Sequence, residues 1–488
     1  MVTSGRLPKE LALLRTKVAS SNLRVLRIEG SSMIKITKFG GSSVSSAGQF
    51  KKVKAIVQAD PSRRFVVVSA AGKRDKFDSK ITDLLYLVNA HLQYHVTCDD
   101  LLGTIGQRFC EIAKELNLSY PISHEFGIFR ELAKRGEYTP EYIVSRGEYF
   151  TGRMMAEYLG FPFVDAADVI TFRADSSIDM DKTSEKLKAA IGEEKCFVLP
   201  GFYGATEDGK IKLLDRGGGD ITGAIVAQCL GADLYENWTD VSGFLTADPR
   251  IVDNPKSISR ITYAELRELS YMGASVLHEE AIFPVKDAGI PLVIKNTNAP
   301  DDPGTVISEE TEPGVAEPLI TGIAGKKDFV AIHVKTNHMS SKVGYIRKTL
   351  SIFERYRVSI EHIPTGIDSF AVVVQGSDVK DCLYSIVADI KSELEPDEIK
   401  IVDRLALIST VGRNMPSRPG TSGRLFGELG HAGINIRMIA QGSEELDIVV
   451  GVDADDFERA IRVIYGAFVD SDDNIITVEE AEEEATNE

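Results

Sequence analysis

Long apolar runs are missing from this sequence. None approaches the roughly 18 residues that a membrane-spanning helix needs, so no membrane partner is expected. Paired cysteines are missing too. Cys98, Cys110, Cys196, Cys229 and Cys382 are scattered, odd in number and form no Cys-x-x-Cys. That excludes a disulfide or zinc framework and suits reduced thiols in a cytoplasmic setting. Positive charge is scarce: 56 Lys and Arg stand against 73 Asp and Glu, a net charge of −17. Eight of the acids lie in residues 471–488, which contain no basic residue and are expected to form a solvated, disordered tail. The body without that tail still carries −9, which argues against nucleic acid as a partner.

What is present divides unevenly. Residues 1–33 form an extension of separate character: its first 32 residues hold six basic and two acidic side chains and an apolar pattern, LPKELALLRTKV, able to make a short helix. It has neither the continuous apolar core nor the cleavage site of a targeting peptide, and Met33 stands as a candidate start. From 34 to 312, short β-branched or aromatic runs alternate with longer amphipathic stretches. RFVVVSAAG (64–72), CFVLPGFYG (196–204) and ADLYENWTD (232–240) each end at a Gly, Ser or Asp turn, and helices are predicted after Gly48 and over 147–160. The alternation predicts an α/β domain with a mostly parallel central sheet between helices, its ligands at the carboxyl ends of the strands.

Beyond Glu312 the sequence repeats itself. With a shift of 76 residues, Ile332 falls on Ile408, Met339 on Met415, Gly344 on Gly420, Phe353 on Leu429, and Val358-Ser-Ile360 on Ile434-Asn-Ile436. Each copy reads as a βαββαβ unit of about 75 residues. The units are expected at 320–398 and 399–470, with a strand at 319–325 as an alternative member of the second. Two copies are too few for a solenoid and suit a paired regulatory module.

Four stretches carry chemistry. Residues 36–44 read ITKFGGSSV: Lys38 stands directly before a Gly40-Gly41-Ser42 turn. This is not a Walker loop, which needs four residues between its glycines and ends in Lys-Ser/Thr. Glycines still let backbone N–H groups approach an anion, and the lysine adds a full charge. SRGEYFTG (145–152) puts Glu148 where a helix is expected to begin. LLDRGGGDITGA (213–224) sets Arg216 and Asp220 around three glycines at a helix start, a natural anion site with an arginine able to grip a carboxylate. NWTDVSGFLTADPR (237–250) is a turn-rich segment after a strand. Each has a plain structural alternative: a solvated lysine, a first-turn acid, a tight loop, an Asp-Pro turn. Together they make a charge set for two ligands, a nucleotide and an amino acid.

KFGGSSV, SRGEY, RGGGD, WTDVSGFLTADPR and VLHEEAI, in this order and spacing, resemble the signatures of the aspartokinase family, and the tandem units resemble its paired ACT domains. The resemblance runs from about Ile34 to Phe468. It implies an amino-acid kinase fold followed by two ACT domains. The implied reaction is ATP-dependent phosphorylation of the side-chain carboxylate of L-aspartate to 4-phospho-L-aspartate, which opens lysine, threonine and methionine synthesis. Carried over by motif, Lys38 contacts the transferring phosphoryl group and Asp220 orients it. Gly40, Gly41 and Ser42 cradle phosphate. Thr82 (in KITDLL) and Glu148 hold aspartate, Glu148 through the ammonium; Arg216 takes a carboxylate, with Gly217, Gly218 and Gly219 beside it. Thr239, Asp240, Leu245, Arg250, Ser275 and Val276 line the nucleotide site. ATP comes with Mg2+ carried on its phosphates, and no protein metal ligand is named. The expected effector is a free amino acid, lysine or threonine, held in the first ACT unit by Met339, Gly344, Tyr345, Ile346, Ser359 and Glu361, with VSIEHI (358–363) as a facing strand. The resemblance further implies a homo-oligomer, dimer or tetramer, built through the ACT domains.

The chain departs from the family pattern in places. Gly219 stands where serine is usual, Leu245 where tyrosine is common, and Ser275 where lysine is common. Two alternatives follow: an amino-acid sensor that has kept the fold and lost the chemistry, and a kinase for a related carboxylate.

Overall fold

The computed structural model describes residues 33–191, 195–215, 217–274, 283–309, 317–470 and 475–476. In chain order the strands of the first part are β1 (Lys35–Phe39), β2 (Phe65–Val68), β3 (Thr171–Phe172), β4 (Phe197–Pro200), β5 (Tyr203–Thr206), β6 (Ile211–Leu213), β7 (Leu234–Thr239), β8 (Arg260–Thr262), β9 (Leu292–Asn296) and β10 (Thr305–Ser308). Seven make the central sheet, in the order β4-β2-β1-β7-β9-β10-β8, and the pairings are parallel except β9 with β10. The remaining three form a small side sheet, β3-β5-β6.

The strands are apolar on both sides because helices cover both faces. Along β2, Val66 and Val68 turn to one core with Phe39, Val198 and Trp238, while Phe65 and Val67 turn to the other with Ile36, Leu199 and Tyr235. The helix Ala47–Ala59, capped by the Ser46 hydroxyl, buries Phe50, Val53, Ile56 and Val57 at helical spacing against the first core. The buried helix Gly218–Leu230 closes the second.

One helix differs from its sequence expectation. The helix carrying SRGEYFTG runs from Pro140 to Leu159, so Glu148 lies in its middle and not at its start. Its true start is the Thr139 cap followed by Pro140, a standard N-terminal signal. Gly147 marks no boundary: a Cβ there would come within 2.9 Å of the Ala70 Cβ, so the glycine permits close packing.

The second part is one five-stranded antiparallel sheet. Two short strands, β11 (Glu317–Pro318) and β17 (Ile475–Ile476), pair beside it. Its members are β12 (Gly322–Lys335), β13 (Ser369–Gln375), β14 (Glu398–Val411), β15 (Met438–Gln441) and β16 (Asp447–Asp453), in the order β13-β12-β14-β16-β15. β12 and β14 are each 14 residues long and serve both repeats. Residues 329–335 pair with 398–405, and residues 322–326 pair with 407–411. The repeat itself is physical. Gly344 and Gly420 both cap helices in the left-handed conformation (φ 78° and 92°), and Phe353 and Leu429 are both fully buried. The expected strand at 358–363 is reduced to a bridge, in which the Glu361 N–H donates to the Val373 carbonyl at 2.9 Å. Among the described residues, no helix is long and apolar enough to cross a membrane.

Candidate active site

Parallel pairing sets the carboxyl ends of four strands side by side. Phe39 stands opposite Val68 and Trp238, and Val68 opposite Pro200. The loops leaving these ends are KFGGSS, VSAAG, PGF and WTDV. Ligands bind at this edge in open α/β sheets.

The first two loops are locked by glycines. A Cβ on Gly41 would sit 2.9 Å from the Ala70 carbonyl, and one on Gly72 would sit 2.6 Å from the Gly41 carbonyl carbon. The Gly72 N–H donates to Gly41 O at 2.8 Å. The Gly40 N–H is already given to Trp238 O at 3.0 Å, so Gly40 contributes no amide to a ligand, contrary to its expected share in a phosphate cradle. It contributes room instead, since a Cβ there would lie 3.4 Å from Lys38 Nζ. Gly41 and Ser42 open the helical turn Gly41–Val44, so their amides have no partner within it.

Lys38 is buried, 7% exposed, and forms an ion pair with the Asp220 carboxylate. Asp220 lies in the first turn of the helix Gly218–Leu230, whose cap, Gly217, needs a left-handed φ of 85°. Gly218 is forced as well: a Cβ would meet the Phe202 ring at 2.6 Å. Gly219 is in ordinary helical backbone, and its missing side chain leaves space occupied by Ser69, whose Oγ lies 2.7 Å from where a Cβ would stand. Ser69 follows β2 and is fixed by its N–H bond to Phe39 O at 3.1 Å. Sequence reading overlooked this residue. It also overlooked Asn237, buried on β7 directly across from Lys38, whose Nδ2 donates to Asp220 Oδ1 at 2.9 Å. No local signal marks it: Glu236 and Asn237 stand in succession inside LYENWT, and only the fold shows that both are buried and that each finds partners. Glu236 is matched by Arg63 (2.8 and 3.2 Å) and the Trp238 indole (2.9 Å).

Glu148 is buried, and its Oε2 has no hydrogen-bond partner. Burial pushes its carboxyl up to about 8, with partial relief from the Ala70 N–H, its own N–H and the Arg146 charge. A carboxylate kept this dry and unpaired is a site for a cation. Arg146 beside it is not a ligand arginine: its guanidinium lies over the rings of Tyr142 and Tyr149, at 4.2 and 4.3 Å. Thr82 is half-buried in the first turn of the helix Ile81–Gln93, which is tied to the same loop by the Ile81 N–H to Ala71 O bond (3.1 Å).

On the nucleotide side, Thr239 ends β7 and its hydroxyl donates to Asp240 at 3.1 Å. Leu245 and Pro249 line an open depression of about 610 Å³. Arg250 is turned to Asp248 (2.6 Å) with its side chain 87% exposed. Arg216, Ser275 and Val276 lie outside the described residues. Among the described residues no three His, Cys, Asp or Glu side chains gather as a metal site.

The expected effector residues are divided in role. Met339 and Tyr345 are buried in the first unit's core, with Ile346 packed against it. The Tyr345 N–H is donated to Lys342 O (3.2 Å), while Ser359 is exposed. Glu361 is held from outside its own unit: the Tyr271 hydroxyl, on the first domain, donates to Glu361 Oε2 at 2.6 Å.

The fold and this site define an amino acid kinase with a regulatory ACT region. The model of the amino acid kinase family matches residues 33–296 and that of an ACT domain matches 408–468. Aspartokinase 3 of Bacillus subtilis is 35% identical over 449 residues, covering 89% of this chain and 98% of its own length. The crystal structure of the Clostridium acetobutylicum aspartate kinase, described as an allosteric enzyme, is 47% identical with a TM-score of 0.84, covering 90% of this chain and all of that one. Escherichia coli aspartokinase III is 25% identical in both of two structures. One is a complex with aspartate and ADP (TM-score 0.68, covering 89% of this chain and 99% of that one), the other a complex with lysine and aspartate (TM-score 0.70, covering 90% and 100%). The chain belongs to the aspartokinase family. It is an aspartate kinase of amino-acid biosynthesis: it transfers a phosphoryl group from ATP to the side-chain carboxylate of L-aspartate and is regulated through its ACT region.

Proposed function

We propose that the transfer takes place over Lys38, between a nucleotide at the Gly41–Ser42 turn and an aspartate held by Glu148. The observation that carries this reading is the buried Lys38–Asp220 pair at the edge where the strands end. The aspartate side-chain carboxylate is ionised at neutral pH and needs no general base. One of its oxygens attacks the γ-phosphorus in line, the bond from that phosphorus to the β,γ-bridging oxygen breaks, and ADP leaves with the electron pair. Such a transition state gains from positioning and from charge neutralisation. Lys38 supplies the charge, Asp220 holds Lys38 until the phosphoryl group arrives, and the free amides of Gly41 and Ser42 face phosphate oxygens. Glu148 takes the substrate ammonium, Thr82 supports the same end, and Arg216 takes the α-carboxylate. Mg2+ enters with the nucleotide as MgATP. Asp220→Asn should lower kcat about 100-fold with little change in either KM; an unchanged kcat would remove Asp220 from the centre.

The effector is a free amino acid, lysine before threonine, bound in the first ACT unit, and the enzyme is a homo-oligomer joined through its ACT domains. The lysine complex of the E. coli relative supports the class of effector. The Tyr271–Glu361 bond supplies a connection to the kinase domain, because an effector ammonium at Glu361 must compete with Tyr271 for the same carboxylate. Inhibition by added lysine or threonine, and its loss in Glu361→Ala, tests this; inhibition that survives the substitution excludes Glu361 from the site.

A further inference from the structure

Asn237 has no place in the roles above, yet it occupies the middle of the reacting centre. Parallel pairing of β1 and β7 sets it directly opposite Lys38. Both side chains share the sheet face covered by the helix Gly218–Leu230, the face to which Ile36 and Tyr235 also turn. Asn237 is 3% exposed. Its other strand neighbour is the buried Ile294 of β9, so an apolar residue would suit the position by packing alone. A buried amide is costly unless both its ends are bonded. Here both ends go to the residues assigned to phosphoryl transfer. Nδ2 donates to Asp220 Oδ1 at 2.9 Å, and Oδ1 faces Lys38 Nζ at 3.4 Å. A side-chain amide can give a hydrogen bond to a carboxylate and take one from an ammonium with the same group, which an apolar residue cannot. The carboxylate is anchored from its own backbone too, since the Tyr235 hydroxyl donates to Asp220 O at 3.0 Å.

The two contacts differ in a useful way. Asp220 Oδ1 receives both the Lys38 ammonium and the Asn237 amide, whereas Lys38 touches Asn237 only at long range. When Lys38 turns toward a phosphoryl group, Asp220 loses its cation but keeps the amide. Without that amide, freeing Lys38 would leave a buried carboxylate with a poorer set of donors, and the ion pair would hold the lysine back. We propose that Asn237 is a positioning residue of the transfer centre: it holds the Asp220 carboxylate in place so that Lys38 can leave it for the phosphate. This rests on the reading of Lys38 and Asp220 as the catalytic pair.

The test is a set of variants in the full-length enzyme, read as kcat, both KM values and a pH profile. Asn237→Leu should lower kcat about 10- to 100-fold, with the aspartate and ATP KM values within about threefold of wild type. Asn237→Asp keeps the shape and serves if the leucine variant fails to fold. Its new carboxyl can donate to Asp220 only while protonated; once ionised it adds a second anion that retains Lys38. Its kcat relative to wild type should therefore fall as pH rises from 6 to 9. A merely structural amide predicts no such slope. Lys38→Ala is the control: if it stays active, the reading of the pair fails and takes this inference with it. If Lys38→Ala is inactive while Asn237→Asp shows wild-type kcat and a flat pH ratio, Asn237 is a packing residue and the inference is overturned.

Discussion

Glu148 is the residue whose environment makes the sharpest claim. Its carboxyl is raised to about 8 from an ordinary 4.5, so the empty folded site holds a proton that the unfolded chain has released. The sign follows: this group stabilises the empty protein fully below pH 4.5, and the contribution is lost as pH rises to 8. An ammonium needs the ionised form. Aspartate must therefore displace that proton, and its KM should fall as pH rises from 6 to 8, approaching about tenfold per unit. The thermal shift produced by aspartate should grow over the same range. Glu148→Gln should abolish both slopes; a wild-type KM that is flat with pH would place the ammonium elsewhere. Gly219 gives a second test. From sequence alone, Gly219→Ser looks like the restoration of a missing hydroxyl. The structure predicts the reverse, because the new Cβ would come within 2.7 Å of Ser69 Oγ. The aspartate KM should rise a few-fold, the scale of one net hydrogen bond of about 1 kcal/mol. Adding Ser69→Ala should recover most of the loss, and a single variant that binds aspartate better than wild type would contradict this.

Among the elements, the helix Tyr263–Tyr271 joins the two parts of the chain. Its first turn is closed by a capping box in which Thr262 and Glu265 bond each other's backbone N–H. The fully buried Glu265 also takes Arg413 (2.5 Å) and the Thr321 hydroxyl (2.5 Å) from the ACT sheet. Its last residue is Tyr271, bonded to Glu361. One helix is thus fastened to both repeats. Glu265→Ala removes a cap and leaves Arg413 without its buried carboxylate; it should destabilise the protein by about 3 kcal/mol, visible as an earlier urea transition. Tyr271→Phe removes one hydroxyl and should separate binding from response. Glu361 is then free for an effector ammonium, so the amino acid should bind a few-fold tighter while its maximal inhibition shrinks. If calorimetry and inhibition curves both stay at wild type, the helix carries no signal. Periodicity made the elements legible: the buried β2 run, the helix after Gly48 and the 76-residue repeat all survive in the structure. The helix expected over 147–160 starts earlier, at Pro140, where Thr139 caps it, and Gly147 inside it answers to the proximity of Ala70. Partners brought from distant sequence, such as Asn237 for Asp220 and Tyr271 for Glu361, leave no local pattern to read.

For the whole molecule, the ACT region is one sheet through which β12 and β14 pass from one repeat to the other. A change in the first repeat therefore has a continuous backbone path to the second and to the kinase helix seated against both. The proposed catalytic edge lies at the ends of a separate sheet, so an effector bound in the first repeat can inhibit only by favouring a less active arrangement of the kinase part. The central claim is that this edge phosphorylates aspartate through Lys38. The most direct measurement is ADP release by the purified chain with MgATP and aspartate, glutamate or no acceptor, for wild type and Lys38→Ala. The account predicts release that depends on aspartate, little with glutamate or alone, and a kcat at least about 100-fold lower in the variant with its fold intact. Equal release with glutamate, release without an acceptor, or a Lys38→Ala enzyme with wild-type kcat would contradict it.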